Sequence, residues 1–519
     1  MASLPDSSPR LRVCIVSKAT PFIWVHHYVK AFRQICEVVT VGSSLTAADL
    51  DATGRTHLAH LVTPNDVGRD VSNVQQLVEA LPDGWRPDLV VTIQSGVPQV
   101  ENIDWLSCPT AYISIDTWHD FTEMIYARPY DFVFAAQREF AKHFAAAGCA
   151  HAHWLPLACD TDAHHPVAIE KDRDIAFIGS IERSLHTERA TRLSRLAEHF
   201  AVLAATAQYA SAMSRAYARA KLAFNSSVAQ DVNMRVFEVM AMGLPLLTNR
   251  NADINGLFDL FADGEHLIAY DDDNLVDLAR HYLNDHLARE RIAAAARAEV
   301  LAHHTYAHRV QRLLAIISEK VDWEQARTRP LLRDHGALRD YLPIVLGHAA
   351  DYGMNAGITK YSLRGKGVKC LTGIAHDPEH AKKRRGSYDD IMAANAVPGT
   401  TQFDTVLALP SETLNVTKEV LNDIRGLLRC GGTLVTGLTA GDMKILSPLP
   451  DPASVWATVE ALGYIVLRME LREEASVHEP AAFIVARRRD RSLKEIAREV
   501  YARNPIPNLS LEDAVASVP

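Results

Sequence analysis

The sequence predicts an α/β protein with parallel sheets in three domains, and three observations lead to this fold class. The chain has 519 residues, which corresponds to about three domains of ~100–200 residues each. Hydrophobic residues make up 48% and charged residues 23%, so disorder, collagen and coiled coil are excluded as overall descriptions. Short apolar, β-rich segments alternate with segments whose apolar residues recur at helical spacing, which is typical of parallel strands joined by helices.

The first domain is predicted over residues 1–168. LRVCIVS (11–17) is a buried strand, a segment of helical spacing follows it, and EVVTVG (37–42) is a second strand, so these residues form a βαβ unit. The strands that continue the pattern are DLVVTI (88–93), TAYISID (110–116), DFVFAA (131–136) and HWLPLA (153–158).

A second domain is predicted over residues 169–322. Its strands are DIAFIGS (174–180), AVLAAT (201–206), KLAFNSS (221–227), PLLTN (245–249) and HLIAY (266–270). A helical stretch from Asn274 to about Ile317 completes this domain. Residues 323–340 are polar and charged and contain Pro330, which predicts a linker.

The third domain is predicted over residues 341–492. Its strand candidates are PIVLGHA (343–349), VKCLTGIA (368–375), FDTVLALP (403–410), TLVTGL (433–438) and a closing antiparallel hairpin of YIVLRMEL (464–471) and AAFIVARRR (481–489). Residues 493–519 are predicted as a tail with a short charged helix and a mobile end.

Charge and cysteine usage exclude several classes of protein. The net charge is −9 with a pI near 6.2, which excludes a broad nucleic-acid-binding surface but allows a local phosphate pocket. The seven cysteines are dispersed and none forms a CxxC pair, which argues against a zinc ribbon and favours reduced thiols in the cytoplasm. Neither a signal peptide nor a transmembrane segment is predicted.

The stretch NMRVFEVMAMG (233–243) carries the strongest indication of chemistry. Asn233 or Asp231 could cap the start of a helix, which makes an anion site, and Arg235 adds a fixed positive charge for phosphate. Glu238 lies one turn further on and could accept both hydroxyls of a ribose. This order is typical of a nucleoside-diphosphate site, although a capped surface helix with a solvated Arg/Glu pair fits the spacing equally well.

Several ordered blocks resemble the spore maturation protein B-type glycosyltransferases, GT-B enzymes related to the large group 1 of retaining glycosyltransferases. The blocks are NMRVFEVMAMGLPLLTN, GLFDLFADGEHLIAYDD, HHTYAHRVQRLL, DTWHDF (116–121), YDFVFAAQREF (130–140), WLPLACD (154–160) and DIAFIGSIERS (174–184). The resemblance covers about 85–317 and, more weakly, the chain from residue 11. It implies two Rossmann-like domains that face a cleft. It also implies an enzyme that transfers a hexose from a nucleotide-diphosphate sugar to a glycan, small-molecule or protein acceptor without a catalytic metal.

The resemblance also implies roles for donor-binding residues in the second domain. Glu238 matches the family glutamate that holds the ribose, and Arg235 and Arg183 are candidates for the diphosphate. Gly179 would let the backbone approach the diphosphate, and Asn225 is a candidate for lining the same cleft.

One position departs from the pattern of the related retaining enzymes. They carry a first glutamate eight positions before the ribose glutamate, and this chain has Gln230 there. A charged contact to the sugar, and with it the retaining or inverting outcome, is therefore left open.

Candidate catalytic residues come from the first domain. His26 and His27 lie on the helix after the first strand, and either could remove the acceptor proton as a general base. The alternative is that one faces the core and the other faces solvent. Asp116 and His119 follow the fourth strand and could act on either sugar, and the alternative is a helix-capping Asp with a surface His.

Two further polar segments have structural interpretations. The run Asp271–Asp273 follows a strand and precedes a helix, so capping and solvation explain it better than a metal-binding DxD motif. His303, His304 and Tyr306 match the family's HTY block, and we expect them to dock the helix back onto the fold.

The third domain resembles class I S-adenosylmethionine methyltransferases through FDTVLALPSETLN and VLNDIRGLLRCGGTLVTG. The expected glycine-rich loop is replaced by GHAADYGMNAG (347–357), and the ribose carboxylate after the second strand is absent, with Asp377 the nearest substitute. The domain is therefore an active methyltransferase, or a degenerate module for docking, acceptor binding or homo-oligomerisation.

Three functions follow from these patterns. The first is a cytoplasmic glycosyltransferase, the second a bifunctional glycosyltransferase and methyltransferase, and the third a non-catalytic scaffold built from degenerate folds. The identity of the sugar, of the nucleobase and of the acceptor has no readable motif.

Overall fold

Three separate β-sheets organise the chain. The computed structural model describes residues 10–21, 23–52, 55–96, 99–118, 120–181, 186–206, 208–333, 341–344, 346–354, 363, 368–410, 414–447, 451–472, 480–503, 505 and 509–518. Short 3-10 helices within this part cover Thr56–Leu61, Ile103–Trp105, Arg250–Asn255, Arg385–Ser387 and Ala394–Ala396. None of the described helices is both long enough and apolar enough to cross a membrane.

The first sheet consists of six parallel strands. They are β1 (Arg12–Val16), β2 (Glu37–Val41), β3 (Leu89–Ile93), β4 (Thr110–Ser114), β5 (Phe132–Ala135) and β6 (His151–Trp154), in the order β2-β1-β3-β4-β5-β6. The helices around it are α1 (Trp24–Ile35), α2 (Ala47–Ala52), α3 (Val74–Ala80), α4 (Glu123–Tyr126) and α5 (Arg138–Ala146). Strand order reverses between β1 and β3, which is where ligands bind in open sheets of this type.

The second sheet has five parallel strands and its own point of reversal. They are β7 (Arg173–Ile178), β8 (Val202–Ala205), β9 (Ala220–Phe224), β10 (Leu246–Asn249) and β11 (Ile268–Tyr270), in the order β11-β10-β9-β7-β8. The helices are α6 (Thr187–Ala197), α7 (Ala210–Ala218), α8 (Met234–Ala241), α9 (Leu257–Leu260), α10 (Leu275–Asn284), α11 (His286–His303), α12 (Tyr306–Ser318) and α13 (Trp323–Thr328). Here the order reverses between β7 and β9.

The third sheet has seven strands, and only its last hairpin contains an antiparallel strand. They are β12 (Gly347–Tyr352), β13 (Val368–Ala375), β14 (Asp390–Ala393), β15 (Phe403–Ala408), β16 (Leu428–Leu438), β17 (Tyr464–Leu471) and β18 (Ala482–Arg488), in the order β14-β13-β12-β15-β16-β18-β17. β18 runs antiparallel to both neighbours. The helices are α14 (Pro378–Arg384), α15 (Lys418–Leu427), α16 (Ala440–Leu446) and α17 (Pro452–Ala461). The predicted fold class, two Rossmann-like domains facing a cleft with a third Rossmann-like domain, is confirmed.

Helices from the second domain return to the first and join the two cores. Tyr306 at the start of α12 packs against Tyr28 of α1 with ring centroids 5.0 Å apart. Arg309, also on α12, donates to the carbonyl oxygens of Pro156 (2.7 Å) and Leu157 (3.0 Å), where the chain passes between the domains. Because these groups are buried, the two domains share one continuous apolar core.

The helical stretch after β11 is divided into three helices by its own caps. Asp285 accepts a hydrogen bond from the amide of Ala288 and begins α11. Thr305 and His308 form a capping box at the start of α12. Both caps are residue types that favour helix starts, so the breaks are encoded locally.

Strand boundaries in the third domain differ from the prediction at its first strand. β12 begins at Gly347 instead of residue 343, and Gly347 has φ +58 beside the carboxylate of Asp404. Of the apolar residues before it, Leu346 is buried in the core of the third domain and Ile344 in the core of the first two domains, and neither pairs in the sheet. Hydrophobicity alone does not distinguish these two uses of an apolar segment.

The predicted linker is docked over its described part. α13 lies within it, and Arg327 of this helix forms a bidentate ion pair with Asp88 at 2.7 and 2.8 Å. Leu332 forms an antiparallel bridge with Leu106. Residues 334–340 lie outside the described part of the chain.

The tail is folded against the first domain over its described part, including the end that was predicted to be mobile. Two helices, α18 (Leu493–Arg503) and α19 (Leu511–Ala516), occupy it. Ile496 and Val500 of α18 join Phe144 of α5 in a buried cluster. The apolar face of α18, which the count of charged residues obscured, explains the difference.

The first and third domains meet through the amino-terminal edges of their sheets. Arg487 at the end of β18 donates to the carbonyl oxygen of Tyr130 (2.9 Å), just before β5. Gly431 near the start of β16 has φ +73, and a Cβ there would collide with the carbonyl oxygen of Cys149. The carboxyl-terminal edges of the two sheets therefore face in opposite directions.

We expect Ile496→Ala to lower the free energy of unfolding by about 2–5 kcal/mol, because a fully buried side chain is removed from the cluster under α18. Thermal unfolding followed by limited proteolysis would measure this loss and the release of the tail. Lys494→Ala on the exposed face of the same helix is the matched control. Equal melting temperatures for the two variants would contradict the docked tail.

Candidate functional site

A cleft of about 830 Å³ lies between the carboxyl-terminal edges of the first two sheets. Residues of the first domain that line it include Trp24, His27, Ile115, Asp116, Trp118 and Gln137. Residues of the second domain include Gly179, Ser180, Arg189, Asp231, Asn233, Arg235 and Glu238. Both reversals of strand order open into this cleft, which is therefore the candidate ligand site.

Arg235 in the first turn of α8 spans the reversal of strand order in the second sheet. Its Nε donates to the carbonyl oxygen of Ile178 (2.8 Å) at the end of β7, and its Nη1 donates to Oδ1 of Asn225 (2.8 Å) after β9. The guanidinium lies 4.6 Å from the centroid of the Phe177 ring. It also occupies the space that a Cβ at Gly179 would need, so Gly179 permits the close packing. Arg235 is thereby a fixed positive charge in the cleft wall.

Asn225 and Asn233 hold this arginine and the helix start. Asn225 is fully buried behind the wall, where its Oδ1 also accepts from Nδ2 of Asn233 (3.2 Å) and its Nδ2 donates to Thr248 (3.0 Å). Asn233 is the N-cap residue of α8, but its side chain makes no capping bond, so the predicted cap is wrong for this residue. Its side chain donates a hydrogen bond to Asn225 instead. The amino terminus of α8 faces the cleft.

A second buried arginine, Arg189 of α6, lines the cleft and was missed from the sequence. Its Nε donates to the carbonyl oxygen of Ser226 (2.9 Å) and its Nη1 to that of Ser180 (3.0 Å). Burial, together with the charge of Arg235, lowers the pKa of Arg189 to about 10, so it stays charged at neutral pH. Arg183, the residue predicted from sequence, lies outside the described residues.

Glu238 lies one turn after Arg235, and the two share the face of α8 that meets the cleft. Its Oε1 is 3.4 Å from Nε2 of His164, and the backbone amide of Asp160 donates to Nδ1 of the same ring (3.2 Å). The proton of neutral His164 is therefore on Nε2, toward Glu238. Burial lowers the pKa of His164, which keeps the ring neutral.

His27 lines the cleft from the first domain, whereas His26 does not. Nδ1 of His27 is 3.1 Å from Oδ2 of Asp160, and its ring stacks on Tyr306 at 5.1 Å. Asp160 also accepts from Nζ of Lys30 (2.8 Å). His26 lines a separate, smaller cavity of about 230 Å³ on the outer side of α1.

The hydrogen bonds of Asp160 determine its charge. Burial opposes ionisation, but hydrogen bonds from His27 and Lys30 more than compensate and hold the pKa of Asp160 well below its usual range. Asp160 is therefore an anion that orients the His27 ring.

A pair of carboxyl groups faces the cleft from opposite domains. Asp116 follows β4, and its backbone amide donates to Oε1 of Gln94 (2.8 Å). Asp231 belongs to the loop before α8 and is 6% exposed. Burial, reinforced by the charge of Asp116, raises the pKa of Asp231 well above its usual range, and the contact with Trp118 opposes this only in part. His119, the predicted neighbour of Asp116, lies outside the described residues.

Gln230 is placed away from the cleft lining. It has φ +60 and follows Ala229 at φ +50, and its backbone oxygen accepts from Nδ2 of Asn255 (3.0 Å). The side chain that this turn directs into the cleft is that of the next residue, Asp231. Two successive non-glycine residues in the left-handed region carry no clear sequence signal, so spacing alone did not identify Asp231.

The acidic run after β11 forms ion pairs within the second domain. Asp272 binds Arg192 through both oxygens at 2.6 and 3.0 Å, and Asp271 is 3.3 Å from Arg250. The N-cap of α10 is Asn274, so the predicted capping by the acidic run is wrong.

The comparison with protein families identifies one segment. Residues 173–315, which hold the second sheet and most of its helices, match the family described as glycosyl transferase-like. No curated protein sequence matches the chain significantly. The second domain is thus similar in sequence to glycosyl transferases.

Solved structures with similar folds have low sequence identity to this chain. The Anabaena protein HepE, solved in complex with UDP-glucose, is 12% identical over 59% of this chain and 99% of its own, with a TM-score of 0.42. Sucrose-phosphate synthase from Thermosynechococcus elongatus is 13% identical over 60% of this chain and 99% of its own, with a TM-score of 0.39. The N-methyltransferase NodS from Bradyrhizobium japonicum is 15% identical over 28% of this chain and 86% of its own, with a TM-score of 0.22.

We expect Asp160→Asn to destabilise the protein near neutral pH, because the variant loses the ion pair with Lys30. The pKa of Asp160 is lower in the folded than in the unfolded chain, so its contribution is present above the unfolded value and is lost as pH falls below about 4. The difference in unfolding free energy between wild type and variant, measured by urea denaturation, should therefore begin to shrink at about pH 4 and continue to shrink as the pH is lowered further.

The matched control is Asp162→Asn. Asp162 also binds Lys30, at 2.7 Å, but its side chain is 78% exposed, so the change should be within about 1 kcal/mol. A wild-type advantage over Asp160→Asn that does not vary with pH would contradict the charge assigned to Asp160.

Proposed function

We propose that the protein transfers a sugar from a nucleoside-diphosphate sugar to an acceptor hydroxyl. The observation that carries this proposal is the pairing of Arg235 and Glu238 on one face of α8, at the reversal of strand order, inside a cleft between two domains. A cationic group for phosphate and a carboxylate for a ribose are then one helical turn apart. The match of residues 173–315 to a glycosyl transferase-like family agrees with this assignment.

The donor binds mainly to the second domain. Glu238 accepts hydrogen bonds from the ribose hydroxyls, while its contact with Nε2 of His164 fixes the carboxylate. Arg235, Arg189 and the amino terminus of α8 surround the diphosphate. These groups compensate the charge that develops on the leaving diphosphate, so we propose a reaction that needs no metal ion.

His27 is the proposed general base for the acceptor. Asp160 accepts a hydrogen bond from the protonated Nδ1 of His27. The lone pair of Nε2 is then left to take the proton of the acceptor hydroxyl. The hydroxyl proton moves to Nε2 as the acceptor oxygen bonds to C1 of the sugar. The bond between C1 and the phosphate oxygen breaks, and its electron pair leaves with the nucleoside diphosphate.

The third domain is proposed to dock instead of catalysing methyl transfer. Asp377, the candidate for a cofactor ribose, accepts from the amide of Glu379 (2.9 Å) and caps α14. At the end of β12, Tyr352 packs against His376 with centroids 4.8 Å apart. These described residues do not provide the acceptor that S-adenosylmethionine requires, and residues 355–357 of the atypical loop lie outside the described part.

We expect Glu238→Gln to weaken donor binding by about 10- to 100-fold, because charge-assisted hydrogen bonds to the ribose are lost. Calorimetry with the glucose esters of UDP, GDP, ADP and dTDP measures the effect. Glu290→Gln, an exposed change on α11, should leave binding unaltered. If none of the nucleotide sugars or their nucleoside diphosphates binds the wild type, the proposed function is wrong.

We also expect no heat of binding when S-adenosylmethionine is titrated into the full-length protein at millimolar concentration. The reason is that the carboxylate of Asp377 already serves as a helix cap. Saturable binding would reject the docking assignment and restore the bifunctional alternative. In that case Asp377→Asn, which keeps an N-cap residue type, would show whether this carboxylate binds the cofactor.

A further inference from the structure

One oxygen of the buried Asp231 carboxyl group is left without a partner in the described part of the fold. The residue is 6% exposed and lines the cleft, yet its Oδ1 has no hydrogen-bond partner among the described residues. An unsatisfied buried polar group destabilises the folded state. A ligand in the cleft that brings a hydroxyl to this oxygen would remove the cost.

The loop that presents Asp231 is strained and held from both domains. Ala229 and Gln230 both adopt the left-handed conformation, which is unfavourable for residues other than glycine. Asn255 donates to the backbone oxygen of Gln230 (3.0 Å), and the amide of Val232 donates to Oε1 of Gln137 in the first domain (3.0 Å). Strain that persists under such restraint is typical of ligand-binding segments.

The order of side chains along the chain places Asp231 at the sugar end of the donor. Glu238 and Arg235 are separated by about 4.5 Å along the axis of α8. Asp231 lies before the helix, on the far side of Arg235 from Glu238. With the ribose at Glu238 and the diphosphate at Arg235, the next group of the donor reaches Asp231.

The first domain completes this end of the cleft with Asp116 and Trp118. Both line the same cavity as Asp231, and the charge of Asp116 raises the pKa of Asp231. Trp118 also forms a wall of a second cavity of about 210 Å³ beneath α18 and α19. An indole offers an apolar face for the C–H groups of a sugar ring, and carboxyl oxygens bind its hydroxyls.

We propose that Asp231, Asp116 and Trp118 form the subsite for the transferred sugar and that this subsite selects a neutral hexose over a uronic acid. The inference rests on the proposed function. A protonated carboxyl group at Asp231 both donates to and accepts from sugar hydroxyls. The carboxylate of a uronic acid would instead enter a buried space beside the anion of Asp116, where like charges repel.

The test compares sugar binding with nucleotide binding. The probes are UDP, UDP-glucose and UDP-glucuronate, or the matching set for whichever nucleoside diphosphate binds the wild type. The measured quantity is the ratio of the dissociation constant of the nucleoside diphosphate to that of its hexose ester. For Asp231→Ala we expect this ratio to fall about tenfold, while the affinity for the nucleoside diphosphate changes less than about twofold.

The variants are chosen so that misfolding does not decide the result. Asp231→Asn keeps the shape of the side chain and removes a buried ionisable group, so it serves if Asp231→Ala does not fold, with a fall in the ratio again expected. Asp273→Asn, an exposed change in the same domain, is the matched control and should leave the ratio unaltered. Asp116→Asn should raise the affinity for the uronic acid ester relative to the hexose ester.

Each outcome bears on one of the two proposals. An unchanged ratio in both Asp231 variants, or wild-type binding of the uronic acid ester as tight as the hexose ester, overturns the sugar subsite and leaves the proposed function standing. An equal loss of nucleotide and nucleotide-sugar affinity assigns Asp231 to the nucleotide site and also overturns it. If no nucleotide binds the wild type, the proposed function fails and the subsite fails with it.

Discussion

The guanidinium group of Arg235 is the contact on which the candidate site depends. It connects the ends of β7 and β9 to the first turn of α8, at the place in the second sheet where the strand order reverses. Two neutral acceptors, a backbone carbonyl and an amide oxygen, hold it, so its charge is not cancelled by a carboxylate. A positive charge is thereby kept rigid and available beside an uncapped helix start, which is a costly arrangement unless an anion binds there.

A chain of contacts links this site to the first domain. Glu238 faces His164, the backbone of Asp160 fixes the tautomer of His164, and the side chain of Asp160 orients His27. Asp160 lies where the polypeptide passes from one domain to the other. Tyr306 ends this series of contacts by stacking on His27. The two sides of the cleft are therefore connected through one short segment of the chain, which limits how the domains can move relative to each other.

Much of the fold was readable because strands buried on both faces form continuous apolar segments. β13 and β17 were predicted with their observed bounds. Within the site, the pairing of Arg235 and Glu238 followed from helical spacing. The place of Arg189 in the cleft did not, and Asp231 was predicted only as a possible helix cap, a position that Asn233 occupies instead. The direction of Arg189 depends on where α6 packs, and that of Asp231 on two left-handed residues with ordinary side chains. The docked tail was missed because its apolar residues need a partner surface that is distant in sequence.

The back-to-back contact of the first and third domains limits how the two halves of the molecule could cooperate. The cleft between the first two domains opens on one side, and the carboxyl-terminal edge of the third sheet opens on the other. A small metabolite released from one side would have to diffuse around the protein to reach the other. A long polymer or a flexible protein chain could instead touch both sides at once, so the arrangement suits a ligand that is held at one side and extends to the other.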